Sequence, residues 1–185
     1  DTFKQESAAV FAENEWHIID DLALTLGGRY DRHQAFGGHF SPRAYLVWNT
    51  TDNWTLKGGV SKGYKTPSLN DLHSGINGVT KQGAEITIGN PNLKPEKSTS
   101  TELAAYFDNL AGFNANVTVF HNKFKDKIAN GDPISSPLCS NNVNSDPNLN
   151  GTCSQKINVD DAVTKGVELA AQWYFTDDWS VKGNY

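Results

Sequence analysis

The sequence predicts an all-β chain: an antiparallel, up-and-down segment of a transmembrane β-barrel, with about eight strands, short turns at one end and long loops at the other. Three observations predict it. Apolar residues recur at every second position in eight separate segments, the period of a strand with one apolar and one polar face. The connections between these segments alternate between short and long, as in barrels with short periplasmic turns and longer extracellular loops. Trp and Phe gather on the apolar face beside the short turns, where an interfacial girdle sits.

Each segment carries the pattern in its own way. "ESAAVFAENEW" (6–16) is the weakest, with Ala8, Val10, Ala12 and Trp16 on one face. "DLALTLGGRYD" (21–31) sets Leu22, Leu24, Leu26 and Tyr30 against Ala23, Thr25, Arg29 and Asp31. "PRAYLVWN" (42–49) sets Ala44, Leu46 and Trp48 against Arg43, Tyr45 and Asn49. "WTLKGGVSKGY" (54–64) sets Trp54, Leu56, Val60 and Tyr64 against Thr55, Lys57 and Ser61. The next two, at 99–107 and 113–124, place Leu103, Ala105, Phe107, Phe113, Ala115, Val117 and Val119 together. "VTKGVELAAQWYF" (163–175) sets Val167, Leu169, Ala171, Trp173 and Phe175 against Glu168, Gln172 and Tyr174, and "WSVKGNY" (179–185) repeats the alternation. The short connections are 17–20, 50–53, 108–112 and 176–178, rich in Asp, Asn and Gly as hairpin turns are. The long ones are expected at about 32–41, 65–97 and 128–160.

The two faces imply two solvents. Ala, Val and Leu suffice against lipid tails, which need coverage and no jigsaw packing. The polar face suits a watery lumen, where Glu102, Glu168, Arg29, Arg43, Lys57 and Lys182 sit cheaply; on the lipid face a midplane charge costs roughly 2–4 kcal/mol. Lys62 and Lys165 fall on the lipid-facing parity near the long-loop ends, where snorkelling to the headgroups is possible. Tyr30, Tyr64 and Tyr185 are candidates for a second aromatic ring at that end.

Composition excludes several classes. The formal net charge is −5, with no clustered basic face for nucleic acid. No apolar run approaches the roughly 18 residues of a transmembrane helix. Neither a signal peptide nor any Met is present, which reads as a mature or excised segment. Cys139 and Cys153 flank a loop rich in Asn, Ser and Pro and read as a disulfide formed in an oxidising compartment, with two unpaired loop thiols as the alternative. No nucleophile elbow, phosphate loop or His-x-x-Glu-His pattern appears, and Ser61 and His121 lack a third partner, so no enzyme is expected.

Four stretches go further. "SKGYKTPSLNDL" (61–72), "GNPNLKPEKSTSTELAAYF" (89–107), "VTVFHNKFKDKIANG" (117–131) and "KGVELAAQWYFTDDW" (165–179) resemble, in order and spacing, the strand and loop motifs of TonB-dependent outer-membrane receptors. "GGRYDRHQAFGGHFSPRAYLVWN" (27–49) looks most like their catecholate siderophore branch, which includes ferric enterobactin and colicin I receptors. The resemblance implies a barrel of about 22 strands around an N-terminal plug, of which residues 1–185 are a partial barrel without the plug and the remaining strands. It implies a bacterial outer-membrane location, loops extracellular and turns periplasmic. It implies a ferric siderophore as transported ligand, with no covalent cofactor and no metal site of the protein's own. The implied partners are that siderophore, outer-membrane lipid and lipopolysaccharide, the TonB energiser acting through the plug, and colicins or phages; no nucleic acid is among them. The alternatives are a receptor for haem, cobalamin or a xenosiderophore on the same barrel, or an adhesin-like surface protein. A ferric catecholate is anionic and aromatic, so it wants cations and rings. The candidates for that role are Arg32, His33, Phe36, His39, Lys65, His73 and Lys81, each with an ordinary reading as a solvated surface residue. The Pro residues at 42, 67, 91 and 95 read as structural marks where loops meet strands.

Overall fold

The structure, a computed structural model, describes residues 4–80, 85–140 and 152–185. Its frame is one eight-stranded antiparallel sheet of long strands. In chain order these are β1 (Ser7–Ile19), β2 (Leu22–His33), β3 (Gly37–Asn49) and β4 (Trp54–Lys65), then β7 (Glu96–Asp108), β8 (Phe113–Lys125), β12 (Ala162–Tyr174) and β13 (Ser180–Asn184). Each pairs with its neighbour in the chain order just given, a simple meander whose edges are β1 and β13. The two long connections hold the other elements: α1 (Leu69–Leu72), β5 (Ile76–Thr80) and β6 (Glu85–Ile88) in the first, and β9 (Lys127–Asn130), β10 (Ile134–Ser135), α2 (Pro137–Ser140) and β11 (Thr152–Val159) in the second.

The register carries each face across the whole sheet. Leu22 lies opposite Trp48, which lies opposite Leu56, which lies opposite Ala105; Ala105, Val117 and Leu169 continue the row. On the other face Glu102 is opposite Phe120 and Gly59, and Thr118 opposite Glu168. A slip of one residue would reverse every face, so agreement along eight strands fixes the pairing. Leu103 is 63% exposed and its neighbour Ala104 only 7%: the apolar face lies open, as a lipid-facing surface does, while small residues on the polar face are shielded.

The short turns are built by side chains that bond their own backbone. Thr51 Oγ1 accepts from the amides of Asn53 (3.3 Å) and Trp54 (3.1 Å), and Asn53 Nδ2 reaches across to the Asp108 carbonyl at 2.7 Å, joining two adjacent turns. Between β7 and β8, Asn109 Oδ1 accepts from Ala111 (2.8 Å) and Phe113 (2.9 Å), while Gly112 adopts φ +100. Beside these turns Trp54 and Phe107 lie 4.9 Å apart by ring centroids, and Trp173 and Phe175 5.6 Å, so the aromatic girdle forms at this level.

The long-loop end differs from the sequence expectation. Residues 32–41 form no long loop: β2 and β3 run on to a tight hairpin at Gln34–Phe36, made possible by Gly37 at φ +75. Above the membrane the apolar–polar alternation lapses, so periodicity loses the strands while their ladders continue. The other two connections pack together as a small mixed sheet in which β6 runs parallel to β11, with Ser154 opposite Thr87. Gln155 Nε2 donates to the Gly89 carbonyl (2.9 Å), Asn90 Nδ2 to that of Lys156 (3.0 Å), and Asn158 both accepts from the Lys94 amide (2.7 Å) and donates to the carbonyls of Lys94 and Asp126. Cys139 and Cys153 are disulfide-bonded, 6.0 Å apart at Cα, and are buried with Ile86 and Ile88 in the core of this sheet.

Candidate functional site

Six of the seven candidate residues are described, and they lie in three places. The β2–β3 hairpin gathers four of them. His33 ends β2, is only 5% exposed, and its Nδ1 accepts from the Ala35 amide at 3.1 Å, which leaves its ring proton on Nε2. Phe36 packs its ring 4.9 Å from that of His33, and its carbonyl accepts from His39 Nε2 at 3.1 Å. Both His33 and Phe36 therefore shape the turn. Arg32 sits in the ladder opposite Ala8 and Gly38, on the parity of Tyr30 and Phe40. The register puts it on the parity of the apolar face, at the loop end of β2. Lys65, the last residue of β4, is exposed opposite Glu96. His73 caps α1, and its Nδ1 accepts from the Gly75 amide at 3.0 Å. Lys81 lies outside the described residues.

One contact brings β3 and β4 together at the mouth. Their ladder stops at Arg43 opposite Ser61, because the next position is Pro42, which has no N–H to donate. In the opening so made, Tyr64 stacks on His39, with centroids 4.3 Å apart and planes at 24°. Tyr64, a candidate for the second aromatic ring, thus has one ring face taken up by His39. Arg29 lies near by on the polar face, held by Asp31 through Nε and Oδ1 at 2.9 Å. Lower on that face Arg43 lies over the Tyr45 ring at 5.7 Å and Lys57 over Tyr106 at 4.4 Å. Pairs of a cation and a ring therefore line the polar wall, a surface suited to an anionic ligand with flat rings. Sequence reasoning named Arg43 and Lys57 as wall charges and set Tyr45 on the same face as Arg43; the Lys57–Tyr106 pair, which spans β4 and β7, shows only in the cross-strand register.

The loop motifs prove structural. Pro67 is fully buried, and Ser68 caps α1 in a capping box: its Oγ accepts from the Asp71 amide (3.2 Å) while Asp71 Oδ2 accepts from the Ser68 amide (3.4 Å). Leu93, at the centre of the Asn-Pro-Asn-Leu-Lys-Pro-Glu run, is buried too. Among the described residues no group of three or more His, Cys, Asp or Glu is arranged to hold a metal ion.

Residues 1–185 match the family described as TonB dependent receptor-like, beta-barrel. The iron-regulated outer membrane virulence protein of Vibrio cholerae is 38% identical over 179 residues, 96% of this chain and 26% of that protein. The ferrienterobactin receptor of Escherichia coli is 33% identical over 135 residues, 69% of this chain and 18% of that receptor. The crystal structure of the siderophore receptor PirA from Pseudomonas aeruginosa superposes with a TM-score of 0.83 at 26% identity, covering 97% of this chain and 33% of that one. The chain spans about a quarter of the length of the Vibrio relative.

Proposed function

Because the chain belongs to the TonB-dependent receptor β-barrel family, we propose that it is part of the wall and mouth of an outer-membrane receptor that imports a ferric siderophore of the catecholate class. The whole receptor would add the plug and the remaining strands, close the edges left at β1 and β13, and draw its energy from TonB through the plug. The observation that carries the reading is the two cation–ring pairs on the polar face, Arg43–Tyr45 and Lys57–Tyr106, with the Tyr64–His39 stack towards the long-loop end. A ferric tricatecholate presents three flat rings and net negative charge, and such a wall offers faces for the rings and guanidinium or ammonium groups for the charge. Lys65, at the same rim, would add charge, as would Lys81, and His39 a stacking face; His33, Phe36 and His73 serve by holding the loops in place. Colicins or phages would meet the same loops from outside.

The test is growth. A receptor-null strain starved of iron and carrying the full-length gene is fed defined siderophores or haem one at a time. Growth on ferric catecholates that disappears when TonB is deleted is the expected outcome. Growth on haem or a neutral hydroxamate alone, or growth that ignores the TonB deletion, would refute the reading.

A further inference from the structure

One row of the polar face runs from Tyr45 through Gly59, Glu102 and Phe120 to Gly166, across β3, β4, β7, β8 and β12. Two of its positions are glycines, and each receives a ring from the strand beside it. A Cβ on Gly59 would stand 2.6 Å from Tyr45 Cδ2 and 3.2 Å from Cε2; one on Gly166 would stand 2.8 Å from Phe120 Cζ. Both rings therefore lie against bare backbone, a close approach that any side chain at the glycine would block. The same contact occurs on the outer face, where Phe40 covers Gly28. Gly59 differs by what lies over its ring.

Arg43 shares a strand and a face with Tyr45, and its Cζ lies 5.7 Å from the ring centroid. Of the rings seated on a glycine, Tyr45 is the one, among the described residues, that also lies under a cation. Arg29 spends its Nε on Asp31 at 2.9 Å, whereas Arg43 has no carboxylate or hydrogen-bond partner among the described residues, so its donors are free for an anion. The positions beside it are small, Gly27 on β2 and Ser61 on β4, and leave the guanidinium open to the lumen. Height places it well inside. From Phe107 in the girdle to Glu102 the strand climbs five residues. At about 3.3 Å per residue and a tilt near 40°, the row lies about 13 Å above the girdle, midway up the apolar band. Tyr64 stands five residues further along β4 from Gly59. A ligand entering from the mouth meets the Tyr64–His39 stack first and Arg43 afterwards.

We propose that Gly59 is a positioning residue for ligand transit: it seats Tyr45 flat on the wall, and the seated ring holds Arg43 where an anionic aromatic ligand passes from the mouth towards the periplasm. The proposal rests on the transport reading and adds to it a station inside the lumen. The test uses the full-length receptor in an iron-starved receptor-null strain, with a radiolabelled ferric catecholate. Gly59→Ala is expected to keep parental binding to energy-depleted cells and to lower the maximal uptake rate of energised cells about fivefold, the scale of one displaced charge contact. Gly58→Ala, the neighbouring position on the lipid-facing parity, should leave both at parental level. Arg43→Gln should slow uptake by a similar factor, and Gly59→Ala added to it should slow uptake no further, because the glycine acts through the arginine. Parental uptake by Gly59→Ala would overturn the proposal. So would a loss that persists in full in the Arg43→Gln background, which would mark a packing defect. The seat is also read without ligand: 3-fluorotyrosine placed at 45 in the purified receptor should shift its fluorine resonance in Gly59→Ala and keep it in Gly58→Ala. An unmoved resonance in Gly59→Ala would sink the seat whatever the parent transports, whereas a parent that takes up no ferric catecholate would sink the transport reading.

Discussion

Single residues in this chain divide by whether their type or their partner decides their role. Gly112 is decided by geometry: at φ +100 it avoids the strain of a side chain, and an added Cβ would stand 2.7 Å from the Tyr174 carbonyl, which the turn needs because the Tyr174 amide donates to Gly112 at 2.7 Å. Gly112→Ala in the full receptor is expected to cost about 1–3 kcal/mol, read as a lower unfolding midpoint in denaturant. Lys65 is decided by charge. Lys65→Gln should weaken binding of an anionic ferric catecholate by about two- to fivefold at low salt, the worth of an exposed charge pair, and leave a neutral hydroxamate complex unaffected. Calorimetric titration at two salt concentrations checks this, since screening over about 10 Å at 0.1 M must shrink the difference. Candidates chosen from the sequence by residue type were legible only as types. His33 and His73 look like ligands in a list of polar loop residues, yet each spends Nδ1 on a backbone amide two residues ahead. Arg32, a candidate by its charge alone, lies in the ladder on the parity of Tyr30, which its residue type could not announce.

At the scale of elements, the long strands were legible because an apolar face turned to lipid alternates through the span, with breaks such as Lys62 and Lys165 only towards the long-loop end. β10, with two residues, and β6 and β9, with four each, carry no such signal. Their partners are remote in sequence, as Thr87 is from Ser154, and no local pattern announces a pairing of that kind. The disulfide was legible from two Cys flanking a polar loop; its burial against Ile86 and Ile88, which belong to the other connection, was not. That burial makes the bond a clamp on both connections. Replacing Cys139 and Cys153 with Ser should free about 3 kcal/mol of loop-closure entropy to the unfolded ensemble of this unit. Hydrogen exchange should then speed up for the amides of 86–89 and 153–158 while those of β7 and β8 keep their protection. Unchanged exchange at 86–89 would show that the two connections hold together without the clamp.

The whole molecule is an argument about two solvents separated by one sheet. The parity of residues such as Leu103, Val117, Leu169 and Val181 fixes which face meets lipid, and the roles of the lumen wall and the mouth depend on that assignment. Charge tests it energetically: Leu103→Lys, in the apolar row with Val119 and Val167, should cost roughly 2–4 kcal/mol in refolding of the full barrel, and Thr118→Lys on the polar face far less. Solvent contact tests it most directly. Single cysteines carrying a spin label are placed at 103, 117, 169 and 181, and at 104, 118, 168 and 182, in the full-length receptor in bilayers under non-reducing conditions. The first set should relax with oxygen, which partitions into lipid, and be shielded from a water-soluble nickel chelate; the second set should show the reverse or be shielded from both by packing. Nickel contact at 103, 117, 169 and 181 would contradict the account and turn the barrel inside out.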